Sequence, residues 1–550
     1  MKIADLIEQN TQLKQQYCLL ESAYSTLETQ YQTLQTRLDE FDALKQQLAW
    51  FKNQLFGQKS EKQFIPVPEQ GSLFERLAPL PVEPEPSITV PAHQRSKKQR
   101  SESNINETGL RFDANVPTEV IDILPRELAG PEADQFDIVG YDEVAKLAKR
   151  PGSYVILLQR IAKVRRKSDL SFLPSVHAPG RVIDGSCIDV SFLAGMLVDK
   201  GCYHIPLYRE HQRLRDAGVQ ISRSSLTNWS NPGIELLRPI FDALKRSVLQ
   251  SKVLAMDEVP MKAGRAGQGK MQQTYFWPMY GDQDEVVFTW SKFRGHQHAL
   301  DQLAGFSGTL LTDGYKAYEK TVVALNKQTH QVTHAQCWVH TRRYFFQAKD
   351  MEPQLAQHAL DLIAKLYQLE AQWREQHLQP DEVIENRRTQ SEPIVREFFA
   401  WVDHQLQDLG LLPSNPITKA LSYARKRADC LKVFLANPFV QLDTNHLERA
   451  LRVIPMGRKN FLFCWSEMGA EQLGILQSVL VTCRLHDVNP YEYLVDVLQR
   501  INILPATQVS DLIPRVWKQK FAEKPLRSLL NQIDDQGIKT SKNEPYRVYV

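Results

Sequence analysis

KVLAMDEV at residues 252–259 and GTLLTDGY at residues 308–315 decide how this chain is read. Each is a short apolar, β-rich run that closes on an aspartate, Asp257 in the first and Asp313 in the second. A carboxylate at the end of a buried strand is costly unless it is paired or binds a metal. Between the two runs, QQTYFWPMY (272–280) and EVVFTWS (285–291) flank Gly281-Asp282 and read as a strand pair. AQCWVH (335–340) reads as one more strand. From Asp350 to Asn437 the texture is polar, amphipathic and helical. A helix from Asn445 to Arg452, ending near Pro455, then carries Glu448, and another runs from Glu471 to Leu485.

Strand, hairpin, strand, strand, helical insertion, acidic helix is the order of a ribonuclease-H-like α/β domain interrupted before its last acidic helix. Phosphodiester chemistry explains why three such acids would be kept. Two Mg²⁺ ions can activate one oxygen at phosphorus and stabilise another, and they require hard oxygen ligands on rigid elements. The chain has 64 acidic residues, so a carboxylate triple alone is a weak signal. Its flanks strengthen it. Arg449, Arg452, Arg458 and Lys459 follow Glu448, and Arg342 and Arg343 follow AQCWVH, so cations for a phosphate backbone lie beside the acids. Phe461, Phe463 and Trp465 alternate like a strand and read as core rather than as base-stacking groups.

Upstream, Ile3, Asn10, Tyr17, Tyr24, Tyr31 and Leu38 alternate with Leu6, Leu13, Leu20, Leu27, Leu34 and Phe41 in a heptad repeat. This is the stripe of a coiled coil, with Asn10 as a register-setting polar position. The stripe resumes one residue early at Leu44, a three-residue discontinuity. Residues 64–110 are rich in Pro, Ser and charge and read as a linker, with Arg95, Lys97, Lys98 and Arg100 as solvated charge. EVIDIL (119–124) and SYVILLQRIAKVRRKS (153–168) suit a small β-rich domain, the second as a hairpin with a basic exit. Helical sequence follows. PLYREHQRLRDAGVQISRSSLTNWSN (206–231) has a helix-turn-helix outline, with Ala217-Gly218-Val219 as the turn, Ser222 as N-cap and Arg223 at the start of the second helix. A structural helical hairpin has the same outline, and both readings stay open here.

Composition sets the frame. A chain of 550 residues exceeds one core and predicts a multidomain α/β protein. The net charge of +3 excludes an argument from bulk basicity, so nucleic-acid affinity has to come from local patches. Seven cysteines without a CxxC pair give neither a zinc knuckle nor a disulfide framework. The absence of a long apolar run predicts no membrane partner and a cytoplasmic protein.

LFGQKSEK (55–62), LAMDEVPMK (254–262), GTLLTDGYKAYE (308–319), HAQCWVHTRRYF (334–345), NHLERALRVIPMGRKNFLF (445–463) and NPYEYLVDVLQRI (489–501) resemble, in order, the motifs of the insertion-sequence-66 family of bacterial transposases. The resemblance runs from about residue 44 to residue 501. It implies a leucine zipper, a zinc-binding DNA-recognition region, a DDE catalytic domain with a helical insertion and a short C-terminal segment. It further implies Asp257, Asp313 and Glu448 as the catalytic, metal-holding triad, with two Mg²⁺ or Mn²⁺ ions. Terminal inverted repeats, target DNA and small accessory proteins of the same element are the implied partners, beside a coiled-coil homodimer or higher oligomer. The chain departs from the family with Asp257-Glu258-Val259 where Asp-Glu-Thr is usual, and with Asp443-Thr444-Asn445 where Asp-Asn-Asn is usual. It also has no cysteine between Arg111 and Pro179, so a tetrahedral zinc site cannot be built there and none is expected.

The expected layout is a coiled coil at 1–63, linker at 64–110, β-rich domain at 111–180 and helix-turn-helix-like DNA-binding region at 181–250. A ribonuclease-H-like domain follows in two parts, 251–350 and 437–500, around an insertion at 351–436, with a C-terminal segment at 501–550. Metal-dependent DNA cleavage and strand transfer is the leading function. A catalytically silent dimeric DNA-binding repressor and a ribonuclease-H-like nuclease are the alternatives.

Overall fold

The computed structural model describes residues 25, 27, 30, 31, 111–112, 116–150, 153–174, 182–328, 331–407, 412–531 and 546–549. The coiled coil expected at 1–63 and the linker expected at 64–110 lie outside the described residues, except for Ser25, Leu27, Gln30 and Tyr31, which are helical.

In chain order the elements begin with β1 (Arg111–Phe112), β2 (Thr118–Leu124), β3 (Phe136–Arg150) and β4 (Ser153–Arg166). Next are α1 (Val190–Gly201), α2 (Leu207–Asp216), β5 (Val219–Gln220), α3 (Arg223–Glu235) and α4 (Arg238–Leu249). The central sheet follows with β6 (Val253–Met256), β7 (Val259–Gly267), β8 (Lys270–Gly281), β9 (Val286–Ser291), α5 (His296–Gln302), β10 (Gly308–Thr312), α6 (Lys316–Lys327) and β11 (Val332–Gln336). A helical stretch holds α7 (Trp338–Ala348), α8 (Pro353–Glu375), α9 (Pro380–Asn386), α10 (Glu392–Leu406), α11 (Pro416–Lys426) and α12 (Ala428–Lys432). The chain then returns through α13 (Asn445–Leu451), α14 (Val453–Phe461), α15 (Glu467–Leu485), α16 (Pro490–Arg500), α17 (Pro514–Lys520) and β12 (Tyr546–Tyr549). The protein is mixed α/β, as its alternating texture predicts.

The chain divides into two compact units, with boundaries inside α7, α8, α10 and α11. One comprises Met1–Arg100, Arg342–Ala364 and Trp401–Ala424. Its described helical parts are joined by the stacked rings of Tyr344 and Tyr423, 4.1 Å apart, and by His358 against Trp401 at 4.9 Å. The other unit holds everything else, including all the sheets.

The first of those sheets has the order β12-β2-β4-β3. SYVILLQRIAKVRR forms one strand, β4, and not the hairpin expected of it. Its alternating burial continues without a turn residue, and its antiparallel partner is the long β3. YRVY at 546–549, in the C-terminal segment, supplies β12 parallel to β2. In the next region, α2 and α3 form the helix-turn-helix outline. Gly218 in the turn has a φ of 84°, and the Ser222 hydroxyl accepts the Ser225 N–H at 3.1 Å, an N-cap in the predicted place.

The central sheet has the order β11-β10-β6-β8-β7, with β9 on β8. β6, β10 and β11 are parallel neighbours, while β8 runs antiparallel to β6, β7 and β9. β6 and β7 are successive pieces on the same side of β8, since Met256 pairs with Met279 and Val259 with Phe276. The edge strand β9 is covered by α15, a helix buried nearly all round. Ser478 accepts the N–H of Phe288 at 2.8 Å, and Thr482 accepts that of Val286 at 3.2 Å. A Cβ on Gly474 would come within 2.5 Å of the Phe288 carbonyl oxygen, so this close approach requires glycine.

Two boundaries differ from expectation. AQCWVH is half strand and half helix: β11 ends at Gln336 and α7 begins at Trp338, placing Arg342 and Arg343 within a helix. The acidic helix stops at Leu451, and α14 then runs through Pro455, tolerated because it lies in the first turn where an N–H needs no intrahelical partner.

Candidate active site

Asp257 sits at the interruption between β6 and β7. Its N–H still donates to the Pro278 carbonyl at 3.3 Å, keeping the ladder on β8, while Oδ1 accepts the Glu258 N–H at 2.8 Å. On the neighbouring parallel strand the last matched pair is Ala255 with Leu311. Two residues on from each stand Asp257 and Asp313, at the same step off adjacent strands, which in a sheet lie about 4.8 Å apart. Asp313 is fixed by an Asx-type turn in which its Oδ1 accepts the Tyr315 N–H at 2.8 Å. Arg427 secures the same corner by donating to the Gly314 carbonyl at 2.8 Å.

Glu448 arrives from the far side of the helical stretch. The Trp338 N–H donates to the Leu442 carbonyl at 2.8 Å, tying the segment before α13 to the exit of β11. Asp443 accepts both the backbone and side-chain amides of Asn445, at 2.9 and 2.7 Å, and so opens α13. His446 packs edge-on against Tyr280 of β8, ring centroids 4.8 Å apart. Burial pushes the His446 imidazole down to about 4, so it is neutral at neutral pH and offers no positive charge to the acids.

Asp313 and Glu448 both come within electrostatic reach of Asp257. Burial first, then Glu258, Asp313 and Glu448, push the Asp257 carboxyl up to about 8. The side chains that raise it are all acidic. Glu258 is raised chiefly by burial, and it is held by Tyr318, whose hydroxyl donates at 2.7 Å, and by Arg294, whose Nε donates at 2.9 Å. Arg294 lies 4.1 Å over the Tyr315 ring, and the Tyr315 hydroxyl donates to the Arg294 carbonyl at 3.0 Å. Glu258, Arg294, Tyr315 and Tyr318 therefore brace the site between Asp257 and Asp313. Sequence reading did not single them out as site residues. Glu258 inside an apolar strand was the one available signal, whereas Arg294 lies in an unremarkable loop.

The donor chemistry fits divalent metal. Carboxylate oxygens are the hard ligands such ions take, and a cation relieves the repulsion that raises Asp257. Among the described residues, no group of three His, Cys, Asp or Glu side chains stands close enough to form a finished coordination set. The two observations are compatible, because charges act on each other over several ångströms while Mg²⁺–oxygen contacts are about 2.0–2.1 Å.

The basic residues divide into groups. Arg449, Arg452 and Lys459 are exposed on α13, α14 and the joint between them. Arg458 is half-buried and donates to the Pro260 carbonyl, so it also anchors α14 to β7. Arg223 is exposed at the start of α3, its guanidinium 5.6 Å over the Tyr208 ring. Arg342 and Arg343 belong to the other compact unit, with Arg342 5.9 Å over the Phe346 ring. The strand expected at Phe461–Trp465 is not one: Phe461 ends α14, and Trp465 is 69% exposed rather than core.

Comparison with known proteins covers most of the chain. The profile of "Transposase IS66 family" matches residues 185–472, that of "IS66 C-terminal element" matches 478–514, and that of "Transposase C of IS166 homeodomain" matches 43–120. Among curated proteins, the uncharacterized protein y4hP of Sinorhizobium fredii is 26% identical over 507 residues, 87% of this chain and 89% of the relative. The uncharacterized protein y4qI of the same organism is 28% identical over 410 residues, 72% of this chain and 74% of the relative.

Proposed function

The chain belongs to the IS66 family of transposases, and on that premise we propose that it cuts DNA at the terminal inverted repeats of a mobile element and joins the freed ends to target DNA. Transposition is the activity of the family; the chemistry and residues are our reading. Asp257, Asp313 and Glu448 are the candidate triad, and they would hold two Mg²⁺ or Mn²⁺ ions. The observation that carries this is the matched parallel register of β6 and β10, which sets Asp257 and Asp313 at the same step off adjacent strands, where burial and the surrounding acids push the Asp257 carboxyl up. The strand order of the central sheet, with the antiparallel β7–β8–β9 meander on one side and the parallel partners β10 and β11 on the other side of β6, supports a ribonuclease-H-like reading of the domain.

When bound, the ions supply an activated attacking oxygen and a stabilised leaving oxygen. The protein's part is positional. Asp257, on which both other acids act, is the candidate shared ligand, while the Asx turn fixes Asp313 and the opening of α13 fixes Glu448. Arg449, Arg452 and Lys459, exposed beside Glu448, face the phosphate backbone in this reading. α2 and α3 are the candidate end-recognition element, with Arg223 at the contacting end of its second helix.

Residues 1–63 are the proposed zipper that pairs two chains. Leu27 and Tyr31, both heptad core positions, are helical and 65% and 67% exposed in the single chain, which suits a partner helix. Accessory proteins of the element and action in the bacterial cytoplasm complete the proposal. Among the described residues, no helix is long and apolar enough to cross a membrane.

The test is cleavage and joining of labelled element-end DNA with Mg²⁺ or Mn²⁺, comparing the full chain with Asp313→Asn. Metal-dependent joined product that disappears in the variant is expected. End binding with no cleavage under any metal would instead identify a silent repressor, and cutting without joined product would identify a nuclease.

A further inference from the structure

Beyond the acids, an open groove of about 870 Å³ follows β7 and β8. Lys262, Lys270, Gln273, Arg458, Leu462 and Phe463 line it, and no acidic residue does. Its first strand residue, Met261, lies four positions past Asp257, about 13 Å at the usual strand rise. Lys262, Arg265 and Lys270 are exposed, and among the described residues they form no salt bridge. The adjacent carboxylate of Glu467 is already paired with Lys292 at 3.1 Å.

The wall opposite the hairpin is held in a strained shape. Leu462 has a φ of 63° and a ψ of −48°, and the Phe463 N–H donates to the Phe461 carbonyl at 2.7 Å, which closes a γ-turn around a leucine. The loop is then pinned to β7: the Cys464 N–H donates to the Lys262 carbonyl at 2.9 Å, and the Gly264 N–H to the Cys464 carbonyl at 3.2 Å. Gly264 itself has a φ of 71°, and a Cβ there would come within 3.2 Å of the Glu467 Cγ. The result displays large apolar groups to solvent: Leu462 is 65% and Trp465 69% exposed. Phe463 meets Trp465 edge to face at 5.0 Å, and the Arg265 guanidinium lies 5.8 Å over the Trp465 ring. Backbone strain of this kind persists where surrounding structure enforces it, and it clusters at functional positions.

We infer that this groove seats one DNA strand next to the acid cluster, with an unstacked base lying on Trp465. The strand's phosphates meet Lys262, Lys270 and Arg458. Cations along a groove whose lining has no carboxylate, continued through Phe463 to an exposed tryptophan that carries Arg265 over its ring, are the combination that holds unpaired nucleic acid, because every base presents a stackable face and every linkage a negative charge. The inference rests on the reading that the chain acts on DNA.

The experiment measures binding of a labelled single-stranded oligonucleotide, and of the duplex of the same sequence, to the full chain. Trp465→Ala, Trp465→Phe and the double substitution Lys262→Ala with Lys270→Ala are compared, each checked by thermal melting. Trp465→Ala is expected to weaken single-strand binding about tenfold with a smaller effect on duplex, and Trp465→Phe to keep most of the affinity. The lysine pair is expected to flatten the dependence of log affinity on log salt by about 1.4.

Wild-type affinity in a correctly folded Trp465→Ala overturns the inference, as does equal loss for both DNAs. If Trp465→Ala does not fold, the lysine pair decides, and an unchanged salt slope overturns it. The same preparations are assayed for cleavage and joining. A wild type that joins ends while Trp465→Ala binds normally removes the groove and leaves the transposase reading. A wild type that holds the strand through Trp465 but never cuts does the reverse.

Discussion

Asp257→Asn should make the metal-free protein more stable, and more so as the pH rises. In the fold, burial and neighbouring acids push this carboxyl from its ordinary 3.8 to about 8. The unfolded chain therefore releases the proton near pH 4, while the folded chain keeps it until about pH 8. Below pH 4 both states are protonated and Asp257 contributes nothing. Above it, the unfolded state gains the favourable charged form alone, so the folded state loses relative stability until pH passes about 8. Each tenfold difference in proton affinity is about 1.4 kcal/mol, which gives upper figures of about 2 kcal/mol at pH 5 and about 5 kcal/mol at pH 8. Asparagine keeps the shape and removes the titration. In EDTA, the thermal transition of Asp257→Asn should exceed that of wild type at pH 8, with the stability difference shrinking by about 3 kcal/mol at pH 5. An equal gain at both pH values, or none at pH 8, would show that Asp257 is not the strained carboxylate inferred here.

Adding Mg²⁺ at pH 8 should raise the melting temperature of wild type and much less that of Asp313→Asn, as required if the ions bind only the folded acid cluster; equal shifts would count against a site at these acids. Arg387, 2% exposed and bonded to both Glu370 oxygens and to the carbonyls of Phe434, Asn437 and Val440, anchors the helical stretch. Arg387→Ala should cost about 3–5 kcal/mol and leave Glu370 without its partner, read as a lower unfolding midpoint. Ser222→Ala should cost about 1 kcal/mol through loss of the α3 cap, with end-DNA binding weakened if α3 is the recognition helix. Arg294→Ala should reduce joining more than it reduces stability, since the half-exposed guanidinium is one of two groups holding Glu258 beside Asp257; full joining activity would show that the brace is dispensable.

Much of the site's composition was legible in local sequence. Apolar runs ending in Asp257 and Asp313 give the buried strands β6 and β10, each of which stops one residue short of its carboxylate. The Ser222 cap, the Ala217-Gly218 turn and the helical texture from Asp350 to Asn437 are likewise local, set by hydrogen-bonding options within a few residues. The misreadings are also local. AQCWVH holds β-favouring residues but becomes a helix after Cys337, where Trp338 packs against Phe398, Phe399 and Phe434, and that aromatic cluster outweighs strand propensity. Phe461 to Trp465 alternates like a strand, yet a γ-turn at Leu462 interrupts it.

By itself, then, the sequence determined which segments carry the candidate acids Asp257, Asp313 and Glu448. Only the tertiary structure decided that Asp313 and Glu448, 135 residues apart, act on the same Asp257. That depends on the Trp338–Leu442 hydrogen bond and on β6 and β10 being parallel neighbours in matched register. It also decided that Arg294 and Tyr318 hold Glu258, that Trp465 faces solvent, and that the last residues return to pair with β2. The reason is that propensity and capping are short-range free energies set by neighbours in the chain. Carboxylate coupling, sheet register and aromatic packing depend on partners far apart in sequence, which no local pattern specifies.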